Sequence, residues 1–149
     1  LRTFSKAYGL AGLRVGYAIG NPDLIAVLTR IKDSFNSYPL DRLAQAGAAA
    51  AIADTAWLRK TTTQVAATRD ALASALKERG FQVLPSCANF ILVHHEGHSA
   101  MNLQRLLRER DIIVRRLSHP RIEDWLRITI GTDRDSDRLL TAIDDIRAN

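Results

Sequence analysis

Residues 5–17 read Ser5-Lys6-Ala7-Tyr8-Gly9-Leu10-Ala11-Gly12-Leu13-Arg14-Val15-Gly16-Tyr17, a loop of small residues around one lysine. The amine of Lys6 can form a Schiff base with an aldehyde if the protein keeps it partly neutral and aims it correctly. Ser5 and Arg14 can both bind an anion, one through a hydroxyl and the other through a guanidinium fork. The segment therefore predicts a site for a ligand that carries both an aldehyde and an anionic group.

Pyridoxal 5′-phosphate suits this donor set, because it carries both groups. Residues 5–17 resemble the lysine segment of the fold-type I aminotransferases of class I/II, over thirteen consecutive positions. The resemblance implies that Lys6 is the catalytic lysine that binds the cofactor aldehyde, and that Ser5 and Arg14 bind the cofactor phosphate. The alternative interpretation treats Lys6 as a solvated loop lysine and Arg14 as a charge at a strand edge.

The composition is that of an ordinary soluble globular protein, with 149 residues, 46% hydrophobic and 25% charged. The net charge of +5 comes mainly from arginines scattered through helical patterns, and no basic stripe with stacking aromatics predicts nucleic-acid binding. No apolar run is long enough to predict a membrane span. The single cysteine, Cys87, excludes an internal disulfide framework, favours a reducing cytoplasm and is predicted to be a small buried side chain.

The chain begins at Leu1, and a functional lysine so close to a chain start predicts a C-terminal fragment of a longer protein. The resemblance implies an α/β chain, the C-terminal part of the pyridoxal-phosphate-dependent transferase fold. We expect residues 1–53 to be the end of the large cofactor-binding domain, and residues 54–149 to be a long linking helix and a small α+β domain. The resembled enzymes are homodimers, which implies a homodimer here.

Local patterns predict most elements of the first half. Strands are expected over residues 1–4, as the end of a buried strand, and over residues 13–19, which are rich in branched and aromatic side chains. Asn21 and Pro22 predict a helix start, residues 34–40 an irregular loop, and Asp41 the cap of an alanine-rich helix. A long helix is expected to begin at Asp54 or Thr55, to reach Arg79 and to end at Gly80.

After Gly80 the pattern predicts a small α+β layer in the order strand, strand, helix, strand, strand, helix. Strands are expected over residues 81–84, 89–94, 112–115 and 125–130. Ser99 is predicted to cap the first helix, and Thr132 or Asp133 to begin the last. His94, His95 and His98 match no metal-ligand spacing, which favours surface histidines and no metal site.

Two arginines in this second half are candidate substrate ligands. Arg127 lies inside an apolar strand, where a charge needs an anionic partner, either a carboxylate such as Asp124 or Asp133 or a substrate acid group. Arg115 closes another short strand. By resemblance, Arg127 binds the substrate carboxylate or equivalent anion, Arg115 helps to bind a substrate phosphate, and Asn89 lies near the substrate entrance.

Residues 34–45, SFNSYPLDRLAQ, are most similar to the branch of the family that acts on histidinol phosphate. The implied reaction is pyridoxal-phosphate-dependent transamination between histidinol phosphate and 2-oxoglutarate, a step in histidine biosynthesis. Two alternatives remain open. One is a related pyridoxal-phosphate aminotransferase or decarboxylase with another substrate, and the other is a truncated module that is catalytically incompetent by itself.

Overall fold

The computed structural model describes residues 1–36 and 38–148. The chain divides into two compact units, Leu1–Thr62 and Thr63–Asn149. Helix α3, Thr55–Glu78, contains the boundary between the two units. The division of the chain into a large-domain remnant over residues 1–53 and a linking helix with a small domain over residues 54–149 stays a prediction.

The first unit begins with a short antiparallel ribbon of two strands, β1 (Arg2–Thr3) and β2 (Gly16–Tyr17). Both are shorter than predicted, because residues 11–13 form a 3-10 turn and Arg14 adopts a left-handed conformation with φ of 54°. The predicted burial of residues 1–4 is wrong except at Phe4, which is 2% exposed. Within the described residues, β1 has only β2 to pair with, so its other edge stays open.

Two helices complete this unit, α1 (Pro22–Phe35) and α2 (Arg42–Ala53). Both predicted caps are confirmed, because Asn21 Oδ1 accepts from the Asp23 N–H at 2.8 Å and Asp41 Oδ1 accepts from the Ala44 N–H at 2.8 Å. These side chains satisfy N–H groups that have no partner within the helix.

The irregular loop predicted over residues 34–40 is wrong at its first two positions, because α1 extends through Phe35. Ser37, within that loop, lies outside the described residues. A small core joins the ribbon to α2, in which Ala44 and Ala48 pack with Phe4 and Val15. The alanines allow the helix backbone to approach the ribbon closely.

Helix α3 has the predicted start and end. Asp54 Oδ1 accepts from the Trp57 N–H at 2.9 Å, which caps the first turn. At the other end Gly80 takes a positive φ of 82°, and the Phe81 N–H donates to the Leu76 carbonyl at 3.1 Å. A glycine in this conformation ends a helix without the strain that a side chain would add.

The second unit contains a four-stranded antiparallel sheet in the spatial order β3-β4-β6-β5. The strands are β3 (Gln82–Val83), β4 (Phe90–His94), β5 (Arg115–Arg116) and β6 (Leu126–Thr129), and the helices are α4 (Ala100–Arg108) and α5 (Asp133–Arg147). This order confirms the predicted α+β layer. Strand β5 begins at the last residue of the predicted strand 112–115, because only from there does the chain pair with β6.

Alternation along the strands separates two faces of this sheet. Ile91, Val93, Leu126 and Ile128 are buried in a core with side chains of α3, α4 and α5. Phe90, Leu92 and Arg127 are half-buried and belong to the opposite face. The arginine therefore has the sheet as its support without being part of the apolar core.

Cys87 was predicted to be buried and is exposed. It lies in the turn before β4, which the Ser86 side chain ties together. The Ser86 hydroxyl donates to the Phe90 carbonyl at 2.6 Å and accepts from the Ala88 N–H at 3.1 Å. Among the described residues we find no helix with the length and apolarity that a transmembrane span requires.

Candidate functional site

The lysine loop, residues 5–14, closes the ribbon of the first unit. The Phe4 N–H donates to the Val15 carbonyl at 3.1 Å and so continues the pairing of β1 with β2. The pairing ends at this point, because the Phe4 carbonyl accepts from the Leu10 N–H at 3.0 Å and Arg14 has a left-handed backbone. Ser5 and Arg14, the two predicted phosphate ligands, thus adjoin the last paired residues, Phe4 and Val15, at the two ends of the loop.

Among the described residues, the Ser5 hydroxyl has an unused donor. Its Oγ accepts a hydrogen bond from the Thr3 Oγ1 at 2.9 Å, and its N–H donates to the same Thr3 Oγ1 at 3.1 Å. A serine hydroxyl has one donor and two acceptor sites, so the Ser5 O–H stays available for an anion. Thr3 was not singled out from the sequence, although its hydroxyl sets the orientation of Ser5.

Arg14 is exposed, and its Nη1 donates to the Ala11 carbonyl at 3.0 Å. This bond ties the side chain to the 3-10 turn of its own loop and leaves its other N–H groups available for an anion. A Cβ built on Gly9 or Gly12 would meet no atom within 4 Å. The loop backbone is therefore open to a ligand at both glycines.

Lys6 is exposed, and within the described parts of the chain its amine has no hydrogen bond or ion pair. The Gly9 N–H donates to the Lys6 carbonyl at 2.9 Å, which fixes the backbone that carries the amine. Residues 1–20 contain Arg2, Lys6 and Arg14 but no aspartate or glutamate. An amine nucleophile beside uncompensated anion donors fits a ligand with an aldehyde and a phosphate.

In the second unit, Arg115 lies directly opposite Arg127 in the pairing of β5 with β6. Like charges at facing positions destabilise a sheet. The Nε of Arg127 is buried without a hydrogen-bond partner among the described residues, which costs about 1–3 kcal/mol for a polar group. Both features favour an anion between the two guanidinium groups.

The carboxylate partners considered for Arg127 are engaged elsewhere. Asp124 Oδ1 accepts from the Ala100 N–H at 2.7 Å, and Asp124 Oδ2 lies 3.4 Å from the His94 Nδ1. Asp133 Oδ1 accepts from the Thr68 hydroxyl at 2.7 Å. The structural explanation for Arg127, a carboxylate within the chain, is therefore not observed in the described residues.

The face of the sheet around Arg127 is shaped by Phe90 and Asn89. The Arg127 Cζ lies 5.4 Å from the centre of the Phe90 ring, a cation–π contact that orients the guanidinium. The Asn89 carbonyl accepts from the Ile130 N–H at 2.9 Å, which continues the pairing of β4 with β6. Asn89 is exposed, so its amide is accessible beside this pair of strands.

The three histidines near the end of β4 have structural partners. The ring of His95 packs edge-on against Phe81, with centres 4.8 Å apart, and its Nδ1 accepts from the Gly97 N–H at 3.0 Å. Burial, and then the nearby His98, lower the pKa of His95 below its ordinary value. The described residues contain no group of three metal-ligating side chains.

The sequence profile of the family described as aminotransferase class I and II matches residues 1–143. The chain belongs to the aminotransferase class I and II family. Histidinol-phosphate aminotransferase 2 of Gluconobacter oxydans is 62% identical over 98% of the chain, and the histidinol-phosphate aminotransferase of Gluconacetobacter diazotrophicus is 61% identical over 95%. The chain spans about two fifths of the length of these relatives, 41% and 39%.

A solved structure has the same fold as the chain. The histidinol-phosphate aminotransferase from Sinorhizobium meliloti, in complex with pyridoxal-5′-phosphate, superimposes on 99% of the chain with a TM-score of 0.85 and 32% identity. The chain covers 40% of that structure. The predicted fold class is therefore confirmed: the chain is an α/β part of the aminotransferase fold of this family.

The structure places Arg115 and Arg127 at facing positions of one sheet, and it places Ser5 and Arg14 at the two ends of the lysine loop in the other unit. Sequence reasoning missed Thr68, whose hydroxyl reaches Asp133. A signal was available, because Thr68 is a polar residue at a helical spacing shared with Val65, Leu72 and Leu76. A polar residue on an apolar stripe needs a specific partner.

Proposed function

We propose that the chain is the part of a pyridoxal-phosphate-dependent histidinol-phosphate aminotransferase that carries the catalytic lysine and the substrate arginines. The observation that carries this proposal is the lysine loop: a Lys6 amine without a partner among the described residues, Ser5 and Arg14 at the two ends of the loop, and no carboxylate nearby in sequence. The names of the relatives described above, and the pyridoxal-5′-phosphate in the Sinorhizobium meliloti structure, support the same assignment.

In this proposal the Ser5 hydroxyl and the Arg14 guanidinium would hold the cofactor phosphate, and the Lys6 amine would condense with the cofactor aldehyde, whose oxygen would leave as water. When bound, pyridoxal phosphate supplies an electron sink for the bond that breaks at the substrate Cα. The Lys6 amine, once neutral and free, takes the Cα proton and returns it as a general acid. The positive charges of the loop hold the phosphate in place while this proton moves.

Arg115 and Arg127 bind the substrate anion in this proposal. Two facing guanidinium groups suit a dianionic phosphate, because each can form two parallel hydrogen bonds to it. The same pair suits 2-oxoglutarate, which has a carboxylate at each end. The unpartnered Nε of Arg127 supports this assignment, since a bound anion would satisfy it. Asn89 is assigned to the entrance of the same site.

The proposal extends to the partners and the setting of the complete enzyme. The donor and the acceptor of the amino group are small molecules. The complete enzyme is a homodimer in the cytoplasm. The isolated 149-residue chain is expected to transaminate poorly, because it spans only about two fifths of its relatives. Sedimentation of the complete enzyme as a monomer would contradict the homodimer.

The experiment is a chimera in which residues 1–149 replace the matched part of the Gluconobacter oxydans relative. We expect it to convert histidinol phosphate and 2-oxoglutarate to the keto product and glutamate. Lys6→Ala should lower kcat by at least about a hundredfold, the range of general acid–base catalysis, whereas Lys32→Ala on α1 should leave it unchanged. Release of carbon dioxide in place of amino transfer, or full activity of Lys6→Ala, would contradict the proposal.

A further inference from the structure

Thr68 is a buried polar side chain in the middle of α3, only 7% exposed. It shares the apolar stripe of this helix with Leu72 and Leu76, which belong to the core of the second unit. Its hydroxyl donates to Asp133 Oδ1 at 2.7 Å, the distance of a hydrogen bond to a charged acceptor. A hydroxyl in such a place is stabilised only by a specific partner, and Asp133 provides it.

The partner Asp133 begins α5, immediately after the turn that follows β6. Thr132 and Asp135 form a reciprocal capping box in this turn, with the Thr132 N–H donating to Asp135 Oδ2 at 2.8 Å. A Cβ at Gly131 would lie 2.7 Å from the same Asp135 oxygen, so the turn is closely packed. The Thr68 hydrogen bond therefore attaches a well-defined turn, residues 130–133, to α3.

A second tie links α3 to the loop before β4. The Arg69 Nη1 donates to the Ala88 carbonyl at 3.5 Å, while the Arg69 guanidinium is held by Asp70 at 2.9 Å. Ala88 precedes Asn89, whose carbonyl accepts from the Ile130 N–H. Consecutive residues of α3 thus contact the two loops that flank one end of the β4 and β6 pair.

We infer that Thr68 is a positioning residue for substrate binding, because its bond to Asp133 fixes the turn that ends the Arg127 strand. Arg127 lies in β6, which runs directly into the turn over residues 130–133. Thr68 itself touches no substrate and acts through Asp133 and the strand. This inference rests on the proposed role of Arg127 as a ligand of the substrate anion.

The test compares Thr68→Val with the unaltered chimera. Valine keeps the shape of threonine and removes the hydroxyl, so the tie is lost with little change in packing. We expect the KM for histidinol phosphate to rise about tenfold and kcat to stay within about twofold, because only anion binding is weakened. In the 149-residue chain, amide exchange of Ile130 should accelerate by about tenfold.

Three further variants separate positioning from stability. Thr68→Ser retains the hydroxyl and should restore the KM. Asp133→Ala removes the acceptor at an exposed position, leaves the interior of α3 intact and should reproduce the rise. Thr141→Val is the matched control, because the exposed Thr141 hydroxyl donates only to the Asp137 carbonyl of its own helix.

An unchanged KM in both Thr68→Val and Asp133→Ala, with an active unaltered chimera, would overturn the inference. An equal rise in Thr141→Val would overturn it too, since the effect would then be general. An inactive unaltered chimera would instead count against the proposed function. In that case, unchanged amide exchange of Ile130 in Thr68→Val would still show that the hydrogen bond between Thr68 and Asp133 does not hold the turn.

Discussion

The two units of the chain differ in how completely each buries its apolar side chains. Among the described residues, the core of the second unit contains sixteen buried apolar side chains, whereas that of the first contains four. Helix α1 of the first unit has no buried residue, although Leu24, Val27 and Ile31 recur at helical spacing. The second unit is therefore stabilised by a large apolar core, whereas the first has only a small core between the ribbon and α2.

The difference matters for function because each unit carries one of the proposed ligand sets. Arg115 and Arg127 stand on a sheet supported by a full core. Lys6 stands on a loop that is held by a two-stranded ribbon and by the hydroxyl of Thr3. The support for Arg115 and Arg127 thus comes from the packed sheet, whereas the support for Lys6 comes from the backbone of its loop.

Truncation of a core leucine in the second unit is expected to have the largest effect on the free energy of unfolding. Leu76 is completely buried, and Leu76→Ala should lower the free energy of unfolding by about 2–5 kcal/mol through lost burial and a cavity. Leu28→Ala in α1 is the control, since Leu28 is 47% exposed and should change the free energy by less than about 0.5 kcal/mol. Urea denaturation of the 149-residue chain measures both. Equal losses would contradict the difference between the units.

A substitution in the ribbon tests whether the lysine loop depends on backbone geometry. A Cβ at Gly16 would lie 2.9 Å from the Arg2 carbonyl oxygen, so Gly16→Ala should force β1 and β2 apart at a cost of about 1–3 kcal/mol. Gly12→Ala, which meets nothing within 4 Å, is the matched control. Amide exchange at Phe4 reports the pairing. Unaltered protection in Gly16→Ala would show that the ribbon does not hold the loop.

Arg127 separates stability from function in the second unit. Because its Nε is buried without a partner, Arg127→Met should raise the free energy of unfolding of the 149-residue chain by about 1 kcal/mol. In the chimera the same change should lower kcat/KM by about a hundredfold, since charged hydrogen bonds to the anion are lost. Arg105→Met, on an exposed ion pair with Glu109, is the control for both measurements. A destabilised Arg127→Met chain would indicate a structural role.

The smallest expected effect is a pH dependence of the free energy of unfolding of the second unit. Burial lowers the pKa of His95 below its ordinary 6.5, so the folded unit takes up this proton less readily than the unfolded chain. The free energy of unfolding is therefore highest above pH 6.5 as far as His95 is concerned. It decreases as the pH falls from 6.5 toward the lower pKa of His95 in the folded unit. His95→Gln should flatten this part of the profile in urea denaturation at several pH values. An identical slope in the variant would exclude His95 as its source.

Local signals in the sequence predicted the helix boundaries well. Asn21, Asp41, Ser99 and Thr132 cap helices through bonds to backbone groups two or three residues away, and such bonds depend on neighbouring residues alone. The strand lengths were wrong at residues 1–4, 13–19 and 112–115, because strand extent depends on a pairing partner distant in sequence. The burial of Cys87 was wrong for a different reason, because the preference of a free cysteine for burial does not determine where the turn formed by Ser86 and Phe90 places its side chain.

The candidate site shows the same contrast between features that local sequence predicts and features that depend on contacts between distant segments. Lys6, Ser5 and Arg14 could be chosen from one continuous segment, and the bond between Phe4 and Val15 places Ser5 and Arg14 at the two ends of one loop. The facing arrangement of Arg115 and Arg127 required the sheet register, which no single segment contains. The bond between Thr68 and Asp133 joins residues far apart in sequence, so only the fold reveals it.

The central claim, that Lys6 binds the cofactor, is tested most directly by chemical trapping. The chimera is incubated with pyridoxal phosphate, reduced with borohydride, digested and examined by peptide mass spectrometry. The chain contains four lysines, at positions 6, 32, 60 and 77. The account predicts the cofactor mass on the peptide that carries Lys6 and its loss in Lys6→Ala. A label on another lysine, or none on Lys6 in an active chimera, would contradict it.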